Sequence, residues 1–151
     1  MPVMNQFFKV LYMAFIPIRR NGLFFTFMYA LGIICSYAVV PNRPNAHVYE
    51  NLWLELFFDI YIICVVLTMI PSMPRKVIQF ILSLLSYIVT ITDMFCFIKF
   101  QATLNPTMLL LAGETNSREA GEFLSSYLSS DIIFSPIGIV LLLMLSHIIV
   151  A

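Results

Sequence analysis

The chain has 151 residues, the length of one ordinary domain, with 61% hydrophobic and 11% charged residues and a formal net charge of zero. Globular domains carry about half apolar and about a quarter charged residues, and the mean hydropathy here is +0.95. Too few polar groups are present to cover a water-exposed surface, which excludes a soluble enzyme, a nucleic-acid binder and a disordered tail, and leaves lipid as the expected solvent.

The first element, Gln6 to Ile18, is apolar at Phe7, Leu11, Phe15 and Ile18 and flanked by Lys9, Arg19 and Arg20. With Pro17 counted it is too short to span, and it suits a helix lying in the cytoplasmic interface. Four longer stretches approach the roughly 20 residues that cross about 30 Å of hydrocarbon. Leu23 to Val40 is uncharged and ends at Pro41-Asn42-Arg43-Pro44, where two prolines stop a helix. Trp53 to Ile70 ends at Pro71, and Val77 to Ile98 runs from Arg75-Lys76 to Lys99. Ile132 to Ala151 is the fourth, with Pro136 in its first turn. A cleavable signal peptide competes for the first long run, but no small-residue cleavage site follows it, which favours an uncleaved anchor.

Between the third and fourth spans, Asn105-Pro106 is a helix start, a cap followed by proline at the first helical position. It predicts a short helix, Thr107 to Ala112, ended by Gly113. Asn116 to Glu119 has the form of a capping box and starts a second helix to about Leu128, with Phe123, Leu124, Tyr127 and Leu128 on one side. The expected fold is an all-α membrane protein: a cytoplasmic interfacial segment at 1–22, then a four-helix transmembrane bundle at 23–151 whose outward loop, 99–131, carries short interfacial helices.

Basic residues set the direction. Lys9, Arg19, Arg20, Arg75 and Lys76 fall on one side of the four spans, and Arg43, Lys99 and Arg118 on the other. The positive-inside rule puts the N-terminus and the 71–76 turn in the cytoplasm. Span four then returns to the cytoplasm at Ala151 with no basic anchor, which reads as the N-terminal part of something longer. Cys35, Cys64 and Cys96 sit inside apolar runs as packing residues, and with His47 and His147 they form no metal-ligand pattern.

Three carboxylates fall within spans: Glu55, Asp59 and Asp93. An ionised residue at the centre of a span costs about 2.5–3.5 kcal/mol on insertion scales, so each needs a reason. All three lie in the outer half, with Asp59 and Asp93 about 9 and 8 Å below the outer edge. Span three also carries Gln79, Ser83, Ser86, Thr90 and Asp93 at helical spacing, a polar seam that must face other helices or a wet cleft. Interhelical hydrogen bonding accounts for its hydroxyls and Gln79. The carboxylates, together with Glu114, Thr115, Asn116 and Glu119 in the outward loop, suggest an acidic, partly buried site for a cationic head group. Structural pairing with Arg43 or Lys99 is the competing account.

Thr107-Met108-Leu109, Glu114-Thr115-Asn116-Ser117-Arg118-Glu119-Ala120 and Phe123-Leu124 resemble the N-terminal membrane domain of bacterial phosphoethanolamine transferases, which decorate lipopolysaccharide. The resemblance covers essentially the whole chain in topology and about fifteen positions in sequence. It implies an inner-membrane domain of five helices followed by a periplasmic catalytic domain of the alkaline-phosphatase and sulfatase type. That domain would hold zinc and a threonine nucleophile, and move phosphoethanolamine from phosphatidylethanolamine to lipid A or core sugars. Thr115 and Glu119 match polar substrate-binding positions of the family. An asparagine expected four residues before the threonine is Leu111 here, which favours an acceptor other than lipid A. The fifth span, the nucleophile and the zinc ligands would all lie beyond residue 151. The expected partners are membrane lipids, above all phosphatidylethanolamine, and the parent's own catalytic domain, with no cofactor held by this chain. The rival readings are a small structural membrane protein, a transporter fragment, or the anchor of a phosphoglycerol transferase.

Overall fold

The computed structural model describes residues 12–39, 51–103, 105–127 and 134–150, apart from the side chains at 111, 112, 120, 123, 124 and 127. Those residues are all helix, turn or loop, with no strand among them. Residues 12–20 form α1, followed by α2 (Gly22–Val39), α3 (Leu52–Thr68), α4 (Ser72–Phe100), α5 (Pro106–Glu114), α6 (Ser117–Tyr127) and α7 (Pro136–Val150). The expected stop at residues 41–44, the charges Lys9 and Arg43, His47, and the apolar side of α6 (Phe123, Leu124, Tyr127, Leu128) fall outside the description.

Helices occupy all four predicted spans, but their lengths differ. At 1.5 Å per residue, α4 is about 43 Å long and α2 about 27 Å, while α3 and α7 reach only about 25 and 22 Å. Two helices, α2 and α4, are long and apolar enough to cross a membrane. The third is 17 residues long and carries Glu55 and Asp59, and α7 has 15 described residues.

Local chemistry sets the ends. Pro71, with φ −55° and ψ 154°, stands before α4 and puts Pro74 in its first turn, where a missing N–H costs little. At the far end Gln101 takes the left-handed conformation, φ 54°, and its N–H bonds to the Phe97 carbonyl at 2.9 Å. Asn105 caps α5 by accepting from the Met108 N–H at 2.9 Å, and Asn116 caps α6 by accepting from Glu119 N–H at 2.9 Å. Both predicted starts are observed. Gly113 does not end α5, which runs one residue past it to Glu114.

α2 is the hub of the bundle. It packs against α3, α4 and α7, and α4 and α7 pack together. The core is apolar: Phe24, Met28 and Leu31 of α2, Cys64 and Leu67 of α3, Tyr87 and Met94 of α4, and Ile137 and Val140 of α7 are buried. On the α2–α3 side aromatic rings interlock. Phe25 meets Phe57 edge-on at 5.4 Å, Phe57 stacks with Tyr61 at 6.3 Å, and Tyr37 meets Trp53 at 5.9 Å.

The close approach of α2 and α3 rests on Gly32, where a Cβ would stand 2.9 Å from a Leu56 methyl. Gly32→Ala is expected to be nearly tolerated, because the tip of Leu56 can turn aside. Gly32→Leu must push the helices apart and is expected to cost about 1–3 kcal/mol, read as a drop in unfolding free energy in micelles.

Outside the core the helices keep apolar faces open. Phe58, Ile62 and Val66 of α3, Phe80, Leu84 and Ile88 of α4, and Leu142, Leu145 and Ile149 of α7 are all exposed. Only 17% of α2's apolar window and 28% of α4's are buried, whereas the core helix of a soluble protein buries most of its apolar residues. Exposed apolar area on this scale marks a surface that contacts something other than water.

Candidate functional site

The polar seam of α4 faces inward. Ser83 and Thr90 are buried and Gln79, Ser86 and Asp93 are half-buried, so the spacing of 4, 3, 4 and 3 places them on the side that meets α2 and α7. Gln79 does structural work, donating from Nε2 to Asn21 Oδ1 at 2.8 Å. Asn21 in turn donates from Nδ2 to the carbonyls of Pro17 at 2.9 Å and Cys64 at 3.1 Å. One buried amide thereby ties α1, α2, α3 and α4 together at one end of the bundle. Tyr61 adds to this junction by donating to the Ala14 carbonyl at 3.0 Å.

Deeper along α4, Tyr87 lies 3.3 Å from His147 Nδ1 on α7, and the imidazole stacks on Phe27 of α2 at 4.3 Å and 6°. This cluster joins three helices around one partly buried imidazole. Further on, Cys35 of α2 and Cys96 of α4 lie in the field of Asp93.

The seven predicted site residues fall into three groups. Asp93 is half-buried on α4, between α2 and its own Cys96. Glu55 and Asp59 are exposed on α3, one turn apart on one face. Glu114, Thr115, Asn116 and Glu119 are exposed at the turn joining α5 to α6. Partial burial is thus confined to Asp93. The reason is geometric: among the described residues α3 and α4 each pack mainly on α2 rather than on one another. Asn116 does capping chemistry, and Arg118 pairs with Glu122 one turn on at 3.0 Å on an exposed surface, an arrangement worth a few tenths of a kcal/mol, ~0.3–0.5.

The divergence of α3 and α4 leaves a cleft of about 240 Å³, walled by Met28, Leu31 and Gly32 of α2, Leu56, Ile60 and Ile63 of α3, and Leu82, Ser86 and Thr90 of α4, with Phe24 at its foot. A shallower depression adjoins it through Leu82, Ser86 and Thr90 and extends over Leu85 and Val89. None of the seven predicted residues lines either one.

Composition and spacing did not single out Asn21, the Tyr87–His147–Phe27 cluster or the cleft. Asn21 and His147 carried a signal, since a strongly polar side chain inside or at the mouth of an apolar run demands a partner. Tyr87 is in phase with the buried positions Ser83, Thr90 and Met94 of α4. The cleft had none, because it depends on how two helices diverge. Among the described residues no group of three or more His, Cys, Asp or Glu side chains is placed to hold a metal ion. Compared with known proteins, the chain matches no family model, no curated protein and no solved structure.

Proposed function

We propose that this chain is the membrane domain of a bacterial inner-membrane phosphoethanolamine transferase, a four-helix bundle that anchors the enzyme and presents lipid substrate to it. In this reading α2, α3, α4 and α7 all cross the bilayer, with the shorter α3 and α7 accommodated by local thinning of the lipid. The N-terminus and the 71–76 segment are cytoplasmic, the side that the bias in Lys and Arg favours, and α5 and α6 lie on the periplasmic surface. The exposed apolar faces of α3, α4 and α7 then contact acyl chains.

The observation that carries the reading is the α5–α6 turn. Glu114, Thr115, Asn116 and Glu119 are all exposed, between two capped helices that follow directly on the long apolar α4. They are also the residues on which the resemblance rests. Carboxylates held at a membrane surface attract an ammonium head group more strongly than in bulk water, because the nearby hydrocarbon lowers the local dielectric. Asp93 adds negative charge at the same end of α4. The transfer chemistry itself belongs to the catalytic domain that the resemblance implies.

The test is lipid selectivity. The purified chain is expected to retain phosphatidylethanolamine in preference to phosphatidylglycerol by native mass spectrometry, and Glu119→Gln or Asp93→Asn to reduce that preference by about tenfold, the scale of losing one charge-assisted hydrogen bond. Equal retention of the two lipids by the unaltered chain defeats the head-group assignment.

A further inference from the structure

We infer that the end of the bundle where α4 begins holds a site for the phosphates of one anionic phospholipid, built from Arg19, Arg20, Arg75 and Lys76. The inference goes beyond the proposed function: it rests on α2 and α4 crossing a membrane, but not on the transferase assignment. Arg19 and Arg20 close α1, and Arg75 and Lys76 follow the start of α4. Arg75 is half-buried and the other three are exposed. The two pairs are remote in sequence, and the buried amides bring them to one place. Gln79 lies one turn beyond Arg75, and Asn21 directly follows Arg20. The 2.8 Å bond between these two amides therefore holds all four cations within about 6 Å of rise, one turn, from a common contact. Asn21 is also fixed to Pro17 and Cys64, so the convergence is anchored in the core.

No carboxylate neutralises them. Residues 1–49, 60–92 and 132–151 contain no Asp or Glu, and among the described residues the one ion pair is Arg118 with Glu122. Asp93 stands about 26 Å along α4 from Lys76, well past the roughly 8 Å over which charges act at physiological salt. Arg19 donates from Nη1 to the Tyr12 hydroxyl at 3.4 Å, with its guanidinium 5.8 Å from that ring. That contact orients the fork and leaves further N–H groups to donate. Four like charges gathered without a counter-ion repel one another, and a multiply charged anion relieves the repulsion. Guanidinium forks bond phosphate oxygens in pairs, and basic pockets between membrane helices suit doubly charged lipid head groups. The surroundings favour a lipid over soluble phosphate. Lys76 heads the exposed apolar stripe Phe80, Leu84 and Ile88 at helical spacing, and exposed Phe15 lies one turn before Arg19. A phosphate seated here has lipid-facing surface directly adjoining it, the layout of head group over tail.

The experiment is native mass spectrometry of the full chain from micelles carrying equal amounts of cardiolipin, a doubly charged phospholipid, and phosphatidylethanolamine. Inorganic phosphate is the soluble arm. The expected result is one cardiolipin kept per chain. Arg20→Gln and Arg75→Gln should each lower that retention about fivefold, the worth of one basic residue at an anionic membrane surface. Arg118→Gln, in α6, should leave it unchanged. Gln79→Leu keeps every charge but removes the bond that gathers the two pairs, and should lower retention about threefold, the scale of one interhelical hydrogen bond. Equal losses in Arg118→Gln and Arg75→Gln mean diffuse attraction and overturn the site, as does cardiolipin kept no better than phosphatidylethanolamine. Displacement of cardiolipin by millimolar inorganic phosphate overturns the lipid assignment. Arg20→Gln alters an exposed residue, so the test stands even where Gln79→Leu fails to fold. Failure here, with phosphatidylethanolamine still preferred to phosphatidylglycerol, removes this site and leaves the proposed function standing. Cardiolipin retention without that preference does the reverse, and complete carbonate extraction removes both.

Discussion

Ile88→Lys is expected to lower bilayer insertion or folding of this chain by about 2.5–3.5 kcal/mol, the cost of a lysine at the centre of a membrane helix. Ile88 lies near the middle of α4 and is 52% exposed, so the substitution breaks no core contact. The same change on a water-facing surface would fall within about 0.5 kcal/mol of neutral. The two solvents therefore give opposite outcomes at one position. Insertion efficiency into microsomes or the fraction recovered in the membrane pellet reads the difference. A variant that accumulates and inserts like the unaltered chain contradicts the lipid-facing assignment of α4. Ser83→Lys is not an equivalent test, because Ser83 is buried and the lysine would be costly in either solvent.

Asn21→Ala is expected to be the most damaging small substitution in the bundle, at about 2 kcal/mol. The Asn21 side chain makes three hydrogen bonds, to Pro17, Cys64 and Gln79, and is 97% buried by its 3% exposure. Removing it strands the Gln79 amide, and leaving a buried donor unpaired costs about 1–3 kcal/mol, although hydrogen bonds between membrane helices average nearer 0.6 kcal/mol. The double variant Asn21→Leu with Gln79→Leu is expected to lose less than the sum of its two single changes, because apolar groups then replace both partners. The coupling should be on the order of 1 kcal/mol, measured by unfolding in mixed micelles. Additive losses would mean that the two amides do not share a bond in the folded bundle.

The two predictions probe parts of the chain that differ in how readily the sequence displays them. The inward turn of the α4 seam was legible because a single helix converts the spacing of Gln79, Ser83, Ser86, Thr90 and Asp93 directly into one face, and an unpaired polar face is costly in lipid. The caps at Asn105 and Asn116 were legible for a similar reason, since each acts on an amide only three residues away. Asn21 was harder. Its partners lie 43 and 58 residues further along the chain, and nothing in the local pattern says which helices will meet there.

Composition and period determined that the chain is helical, where its long apolar helices begin, and which side of α4 turns inward, because those properties follow from interactions within a few residues. Tertiary structure decided that α2 is the shared partner of α3, α4 and α7, that α3 and α4 part to leave an apolar cleft, and that Asp93 is half-buried while Glu55, Asp59 and Glu119 remain exposed. Those outcomes depend on how closely whole helices can approach, as at Gly32 against Leu56, and on which of several apolar faces is covered first. A one-dimensional pattern offers every such face equally, and only packing in three dimensions chooses among them.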